Sequence, residues 1–336
     1  MGLIGDYRRL MRAGIALARH DVILPGAYQT RLPLPARIAG RVLRVFGGGA
    51  RGRPGERLAR ALEKLGPAYI KLGQFLATRP DVFGAEVTQD LGRLKDKLPP
   101  FSMKAARAAL AEEFGEADAA RLFAELSDPV AAASIAQVHK MSLPEGERAV
   151  KILRPGIEHK LMVELSAMKR AARTIEGISA ESQRLKPVAF TETIANAMMR
   201  ETDLRLEAGG ADEMHEISQK SGHFVIPSVD WDRTGRRVLT IDWIDGVSLT
   251  DPKALDRPGI DRKKLANDIT QGFLTHAIEY GVFHADMHEG NLIITPEGKV
   301  ALVDFGIIGR IGLVERRFLD EILWGFLKRD YRRVAE

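Results

Sequence analysis

A chain of 336 residues, 45% hydrophobic and 28% charged, has the composition of globular proteins, which excludes disordered, collagen-like and low-complexity classes. Its length accommodates two ordinary domains or one large two-lobed domain. The absence of cysteine excludes disulfides, thiolate nucleophiles, iron–sulfur clusters and cysteine-ligated zinc, and no window approaches the ~20 uncharged apolar residues of a membrane span.

Charge is distributed unevenly. Residues 1–60 carry twelve arginines against Asp6, Asp21 and Glu56, a net charge of +9, which leaves −4 on the rest of a chain whose total is +5. A basic segment on an acidic body fits an anionic surface. Tyr7, Tyr28 and Phe46 are its only aromatics, too few for base stacking, so the expected partner is lipid and not nucleic acid. A solvated arginine-rich tail is the plain alternative.

Residues 3–20 set Leu3, Ile4, Tyr7, Leu10, Met11, Ile15 and Leu17 among arginines, an imperfect helical stripe suited to lying flat on a membrane. Pro25, Pro33 and Pro35 interrupt regular structure, and the glycine-rich run Phe46–Gly55 reads as a linker. Gly47, Gly49 and Gly52 formally match a dinucleotide-binding fingerprint, with neither the preceding strand nor the following helix that motif requires. Leu58, Leu62, Leu65, Tyr69, Leu72 and Leu76 predict helix over Glu56–Arg79, and amphipathic helix continues over 84–126, broken at Pro99 and Pro100.

Periodicity changes at Val130. The stretches AQVHKMSL and ERAVKIL around Pro-Glu-Gly predict paired strands; 157–208 returns to helix; FVIPSVDWD and RVLTIDWIDG predict two more strands. A helix over roughly 261–280 ends at Gly281, LIIT and VALVDF form a hairpin around PEGK, and a last helix runs from Leu313 to the chain end. The expected organisation is a basic segment (1–50), a helical extension (51–126), a mixed N-terminal lobe (127–250) and a C-terminal lobe (251–336).

The chemistry concentrates between His284 and Gly306. Asp286 and Asn291 lie five apart on a loop, and Asp304 opens Asp-Phe-Gly directly after a strand. This is the phosphotransferase spacing, in which one carboxylate handles the acceptor while an Asn and a second Asp hold magnesium. Lys151, in Ala-Val-Lys at a strand end, supplies an ammonium for nucleotide phosphates. Where a glycine-rich phosphate loop belongs, the chain reads Ala131, Ala132, Ala133, Ser134, Ile135, Ala136, Gln137, Val138, with alanines in place of glycines.

With Lys71-Leu72-Gly73-Gln74, the alanine-rich loop, AVKILRPG (149–156), Glu201-Thr202-Asp203, HADMHEGN (284–291) and Asp304-Phe305-Gly306 in order, the chain resembles the UbiB-like (ADCK-type) atypical kinases. The resemblance implies an α+β, two-lobed protein-kinase-like fold with an N-terminal helical extension, ATP or ADP with Mg2+ as cofactors, ATPase activity, and support of ubiquinone biosynthesis, including polyprenylphenol hydroxylation, with its enzymes or lipid intermediates as partners. It places the protein on the cytoplasmic face of the inner membrane, with a homodimer among the partner expectations. It also implies a kinase-like C-lobe longer than this chain and an apolar C-terminal anchor in the parent protein.

By this resemblance Asp286, Lys151 and Lys71 are the catalytic candidates, Asn291 and Asp304 the metal ligands, and residues 131–138 with Lys151 the nucleotide contacts. Glu201 and Asp203 are expected to meet Lys71 and Gln74. Glu207 is the candidate partner of Lys151, with Glu201 the alternative. Alanine in the phosphate loop restricts close backbone approach to phosphates and is expected to favour ADP over productive ATP transfer. Ala285 replaces the arginine that reads phosphorylated activation loops, and Met287 and Glu289 depart from the HADPHPGN of many relatives. Plainer readings stand beside these: a metal site at His284, Asp286 and His288, a surface lysine at 71, and a solvated acidic face over 201–207.

Overall fold

The computed structural model describes residues 3–20, 22, 52–92, 94, 98–177, 183–184, 186–257 and 260–335. Gly47 and Gly49 and the prolines at 25, 33 and 35 lie outside the described residues. The helices are α1 (Leu3–Arg19), α2 (Pro54–Leu65), α3 (Pro67–Ala77), α4 (Pro80–Phe83), α5 (Ala85–Leu91), α6 (Met103–Phe114), α7 (Glu116–Leu122), α8 (Ile157–Glu176), α9 (Pro187–Arg200), α10 (Leu204–Ser221), α11 (Arg262–Thr275), α12 (Leu313–Lys328) and α13 (Tyr331–Ala335). The strands are β1 (Leu126–Ala132), β2 (Ala136–Leu143), β3 (Gly146–Leu153), β4 (Val238–Asp242), β5 (Val247–Ser248), β6 (Val282–His284), β7 (Leu292–Ile294), β8 (Val300–Leu302) and β9 (Ile308–Arg310).

The chain divides into two compact units: Met1–Ser102, Ala131–Gln137 and Leu153–Thr202 form the first, and Met103–Val130, Val138–Ile152 and Asp203–Glu336 the second. The units are interleaved along the chain, unlike the consecutive ranges that periodicity and composition draw.

The first unit is helical. Pro54 opens α2 in its first turn, where its missing N–H costs nothing, and the Glu56 carboxylate accepts the Arg53 N–H at 3.1 Å. The single helix expected over Glu56–Arg79 is split at Gly66, whose φ of +105° no helix accommodates, and Pro67 restarts it as α3. Asp90 on α5 is buried and paired with Arg53, which staples α5 to the start of α2. The helix α1 docks on α8 through charge: Arg170 holds the buried Asp6 carboxylate at 2.9 Å, and Arg12 holds the buried Glu164 at 2.6 Å. Ala13 and Ala18 are buried, whereas Tyr7 and Met11, members of the stripe expected to face lipid, are exposed.

The four-stranded sheet, most of whose residues belong to the second unit, has the order β1-β2-β3-β4, with β3 antiparallel to β4 and Lys151 opposite Leu239. The segment FVIPSVDWD makes only two isolated bridges, Val225 to Ala301 and Val229 to Ile241, because Pro227 between them lacks the N–H a ladder needs. The expected hairpin around PEGK is present as β7–β8, with Leu292 opposite Leu302, and β5 extends it. Its apolar face joins Ala211 and Met214 of α10, Phe224, Ile226 and Leu265 in one core with Phe305.

The helix α11 ends in a wider π turn, His276–Tyr280, closed by Gly281 at φ +73°, which feeds β6 and the loop carrying Asp286. The last helix does not run unbroken to the chain end: Arg329 adopts φ +58° and donates its N–H to the Gly325 and Phe326 carbonyls, terminating α12. No helix among the described residues is long and apolar enough to cross a membrane.

His276 is 1% exposed, packs edge-on against Phe224 and Tyr280, and shares a hydrogen bond of 3.0 Å with the Ser221 hydroxyl. Burial, then the nearby His223, pushes its pKa down from 6.5 to about 4. The unfolded chain therefore binds a proton at 276 more readily than the folded chain, so stability is fully present above pH 6.5 and falls as pH drops toward about 4. The predicted loss reaches about 3 kcal/mol, checked by urea denaturation across this range, and His276→Phe flattens that dependence.

Adjacent glycines in α10 give a second test. A Cβ on Gly209 would meet nothing within 4 Å, whereas one on Gly210 would lie 2.9 Å from Ile308 Cγ1 and 3.1 Å from the Phe305 carbonyl. Thermal denaturation should show Gly209→Ala stabilising by about 0.5–1 kcal/mol and Gly210→Val destabilising by about 1–3 kcal/mol.

Candidate active site

Strand alternation places Lys151 opposite the face of Val150 and Ile152, both fully buried in the sheet core. Its ammonium sits 2.8 Å from both Glu207 carboxylate oxygens and 3.7 Å from Asp304 Oδ2. Glu207 lies in the first turn of α10, where the helix dipole favours a carboxylate. Asp203 is the N-cap of that helix: its side chain accepts the Arg205 N–H at 3.2 Å and pairs with the Arg205 guanidinium at 2.6 Å. That hydrogen-bonded guanidinium holds the Asp203 carboxyl below the usual range.

The partner of Lys151 is therefore Glu207, while Glu201, the alternative, pairs with Lys71 at 2.9 Å. Asp203, expected with Glu201 to meet Lys71 and Gln74, caps α10 through its side chain. The chain leaves helix at 201–203, so residues 201, 203 and 207 do not share one helical phase.

Within the second unit the metal-ligand candidates converge because of hairpin register. Leu292 faces Leu302, and the ladder continues one step outward, with the Val303 N–H bonded to the Asn291 carbonyl at 3.0 Å. Asn291 and Asp304 thus flank the open end of one hairpin. Asp304 takes a left-handed conformation, φ +64°, tolerable for Asp, and its Oδ1 accepts the Gly306 N–H at 3.3 Å.

The loop carrying Asp286 is fixed to Asp304 through buried His284. The Asp286 N–H donates to His284 Nδ1 at 3.1 Å, which leaves the ring proton on Nε2, and Nε2 donates to the Asp304 carbonyl at 2.8 Å. Asn291 Nδ2 donates to the Asp286 carbonyl at 3.0 Å, and Phe305 packs against the His284 ring with centroids 5.7 Å apart. The motif reading assigned His284 no such role; the signal available was its position two residues before Asp286.

Both ring nitrogens of His284 are used internally, and His288 Nδ1 accepts the Gly290 N–H, so the His-x-Asp-x-His metal reading has no convergent geometry. Among the described residues no group of three or more His, Cys, Asp or Glu side chains is arranged to hold a metal. A hard cation ligated by one carboxylate, an amide oxygen, water and phosphates does not need such a group. Glu207, Asp286 and Asp304 outnumber Lys151 by three charges to one, and the Asp304 side chain is half exposed, a donor set that fits Mg2+.

In the first unit, Gln74 lies half-buried one turn beyond Lys71 on α3, and a Cβ on Gly73 would collide with Leu94 and Leu62. The alanine-rich stretch is a tight turn between β1 and β2, closed by the Ala133 N–H on the Ala136 carbonyl at 2.8 Å. Ala131 is exposed and Ala132, Ala133 and Val138 are half-buried, whereas Ser134, Ile135, Ala136 and Gln137 are buried. Gln137, expected among nucleotide contacts, turns its amide to main chain: Oε1 accepts the Phe101 N–H at 2.8 Å and Nε2 donates to the Phe101 carbonyl at 3.3 Å.

Residues 93–336 match the ABC1 atypical kinase-like domain. The chain is similar to proteins named probable protein kinase UbiB: 38% identical over 288 residues in Marinobacter nauticus (84% of this chain, 52% of that one), 35% over 338 residues in Cellvibrio japonicus (98% and 60%), and 34% over 341 residues in Aeromonas hydrophila (98% and 62%). It therefore spans about half to three fifths of the length of these relatives. The structure of the Rv3197–erythromycin complex from Mycobacterium tuberculosis superposes with a TM-score of 0.53 at 26% identity, over 80% of this chain and 68% of that one. The fold is α+β and kinase-like, and the chain belongs to the ABC1 atypical kinase-like family.

Proposed function

We propose that this chain binds ATP or ADP with Mg2+ through Lys151, Asn291 and Asp304, and hydrolyses ATP with Asp286 as the catalytic carboxylate. The observation that carries this reading is the Lys151 ammonium, fixed by Glu207 and set 3.7 Å from Asp304 beside a loop bearing Asp286 and Asn291. The Lys151 ammonium is mostly buried beside a candidate magnesium ligand, and its point charge suits a polyphosphate. Magnesium bound at Asn291 and Asp304 would neutralise charge developing on the phosphoryl group. Asp286, oriented by His284 and Asn291 through its own main chain, would accept the proton of the attacking water.

The relatives' name supports a setting in ubiquinone biosynthesis, and we propose, on the motif resemblance alone, that this setting is the polyprenylphenol hydroxylation stage at the cytoplasmic face of the inner membrane. Arg8 and Arg19, exposed on α1, support contact with anionic lipid. A protein or small-molecule kinase is the second reading, favoured by the same Asp286. Labelled ATP separates the two: release of free phosphate supports the ATPase, and transfer to protein that Lys71→Ala abolishes supports the kinase.

For nucleotide binding, titration with fluorescent ADP in magnesium should show Lys151→Ala and Asp304→Asn weakening affinity by about tenfold or more. Asp286→Asn should keep that affinity and slow ATP turnover by about 10²–10⁴-fold. Wild-type affinity in both Lys151→Ala and Asp304→Asn would remove the proposed site. For nucleotide preference, Ala132→Gly and Ala133→Gly should shift binding from ADP toward ATP, because glycine allows the closer backbone approach that alanine restricts.

A further inference from the structure

The alanine-rich turn has an unusual support. Arg154, directly after β3 and three residues beyond Lys151, turns its guanidinium onto main-chain carbonyls. Its Nε and Nη2 donate to the Ala133 carbonyl at 3.1 and 2.8 Å, and Nη2 also reaches the carbonyls of Pro99 at 2.9 Å and Leu98 at 3.4 Å. The Arg154 main-chain N–H donates to the Ile135 carbonyl at 2.8 Å, and the guanidinium stacks over the Phe101 ring at 5.6 Å. The buried Gln137 amide takes both main-chain groups of Phe101, so the turn and the segment 98–101 are tied at two points from opposite ends.

Planar guanidinium geometry explains the choice of residue. A fork of five donors can serve carbonyls on two separate segments at once, which a lysine point charge cannot reproduce. Closing the turn leaves the Ala133 and Ile135 carbonyls directed at Arg154, and these are the groups whose direction decides how the neighbouring N–H groups lie.

The geometry points to Arg154 as a positioning residue: it fixes the main-chain shape of the alanine-rich turn, and through that shape it sets affinity for the nucleotide diphosphate. The inference rests on reading the turn as a nucleotide-binding loop. Gln137 is the second tie of the same latch, and the segment 98–101 is its anchor.

The test uses the full chain with Arg154→Ala and Arg154→Lys, and Asp304→Asn as the reference for the nucleotide site. Hydrogen exchange of peptides covering 131–137 should speed by about tenfold in both Arg154 variants, with exchange in β4 and α10 and the thermal midpoint unchanged, and ADP–magnesium affinity should fall by about tenfold without rescue by lysine. A residue supporting stability alone would instead lower the midpoint and raise exchange throughout the first unit, which overturns the proposal. Exchange or affinity equal to wild type in both Arg154 variants also overturns it, while weakened binding in Asp304→Asn keeps the nucleotide site. If Asp304→Asn binds ADP as wild type does, the nucleotide site itself fails, and the positioning role falls with it. Should Arg154→Ala not fold, Arg154→Lys carries both measurements.

Discussion

Glu207 and Asp304 flank one ammonium and Asp286 lies on the loop tied to Asp304, and the fold must hold these like charges in place. It does so largely with main chain. Hairpin register brings Asn291 beside Val303, and His284 ties the Asp286 N–H to the Asp304 carbonyl. The Asp203 cap starts α10 where Glu207 meets Lys151. Main chain, more than the carboxylates, thus carries the ties among the Asp286 loop, Asn291 and Asp304.

Features with short-range causes were legible in the sequence. The turn at PEGK, the strand patterning of β2, β3 and β4, and the Asp-Phe-Gly after a strand follow from local periodicity and turn chemistry, and the spacing of Asp286, Asn291 and Asp304 named the candidates. The ion-pair partners were not legible. Whether Glu201 or Glu207 meets Lys151 depends on the helix breaking at Thr202, and the only local sign of that break is the capping Asp203. Motif membership grouped Gln137 with the nucleotide contacts, yet its side chain answers to Phe101, 36 residues away.

The helix α1 shows the same limit in another form. An amphipathic, arginine-rich helix reads equally as a lipid-facing segment and as a docked one, because composition does not say which charges find partners. Asp6, one of only three acidic residues among the first sixty, is buried against Arg170, and Arg12 reaches Glu164. Two pairs of opposite polarity thus fix α1 on α8, while Tyr7 and Met11 remain outside.

The left-handed backbone of Asp304 bears on how this site can be dissected. Among side chains with a Cβ, Asn and Asp enter that region at the least cost, whereas Ala, Glu or a β-branched residue would strain the turn that Phe305 and Gly306 complete. Asparagine at 304 thus removes the charge while keeping the backbone, and alanine there alters both. A loss seen with alanine alone would report on the shape of the turn, and a loss shared by both would report on the carboxylate.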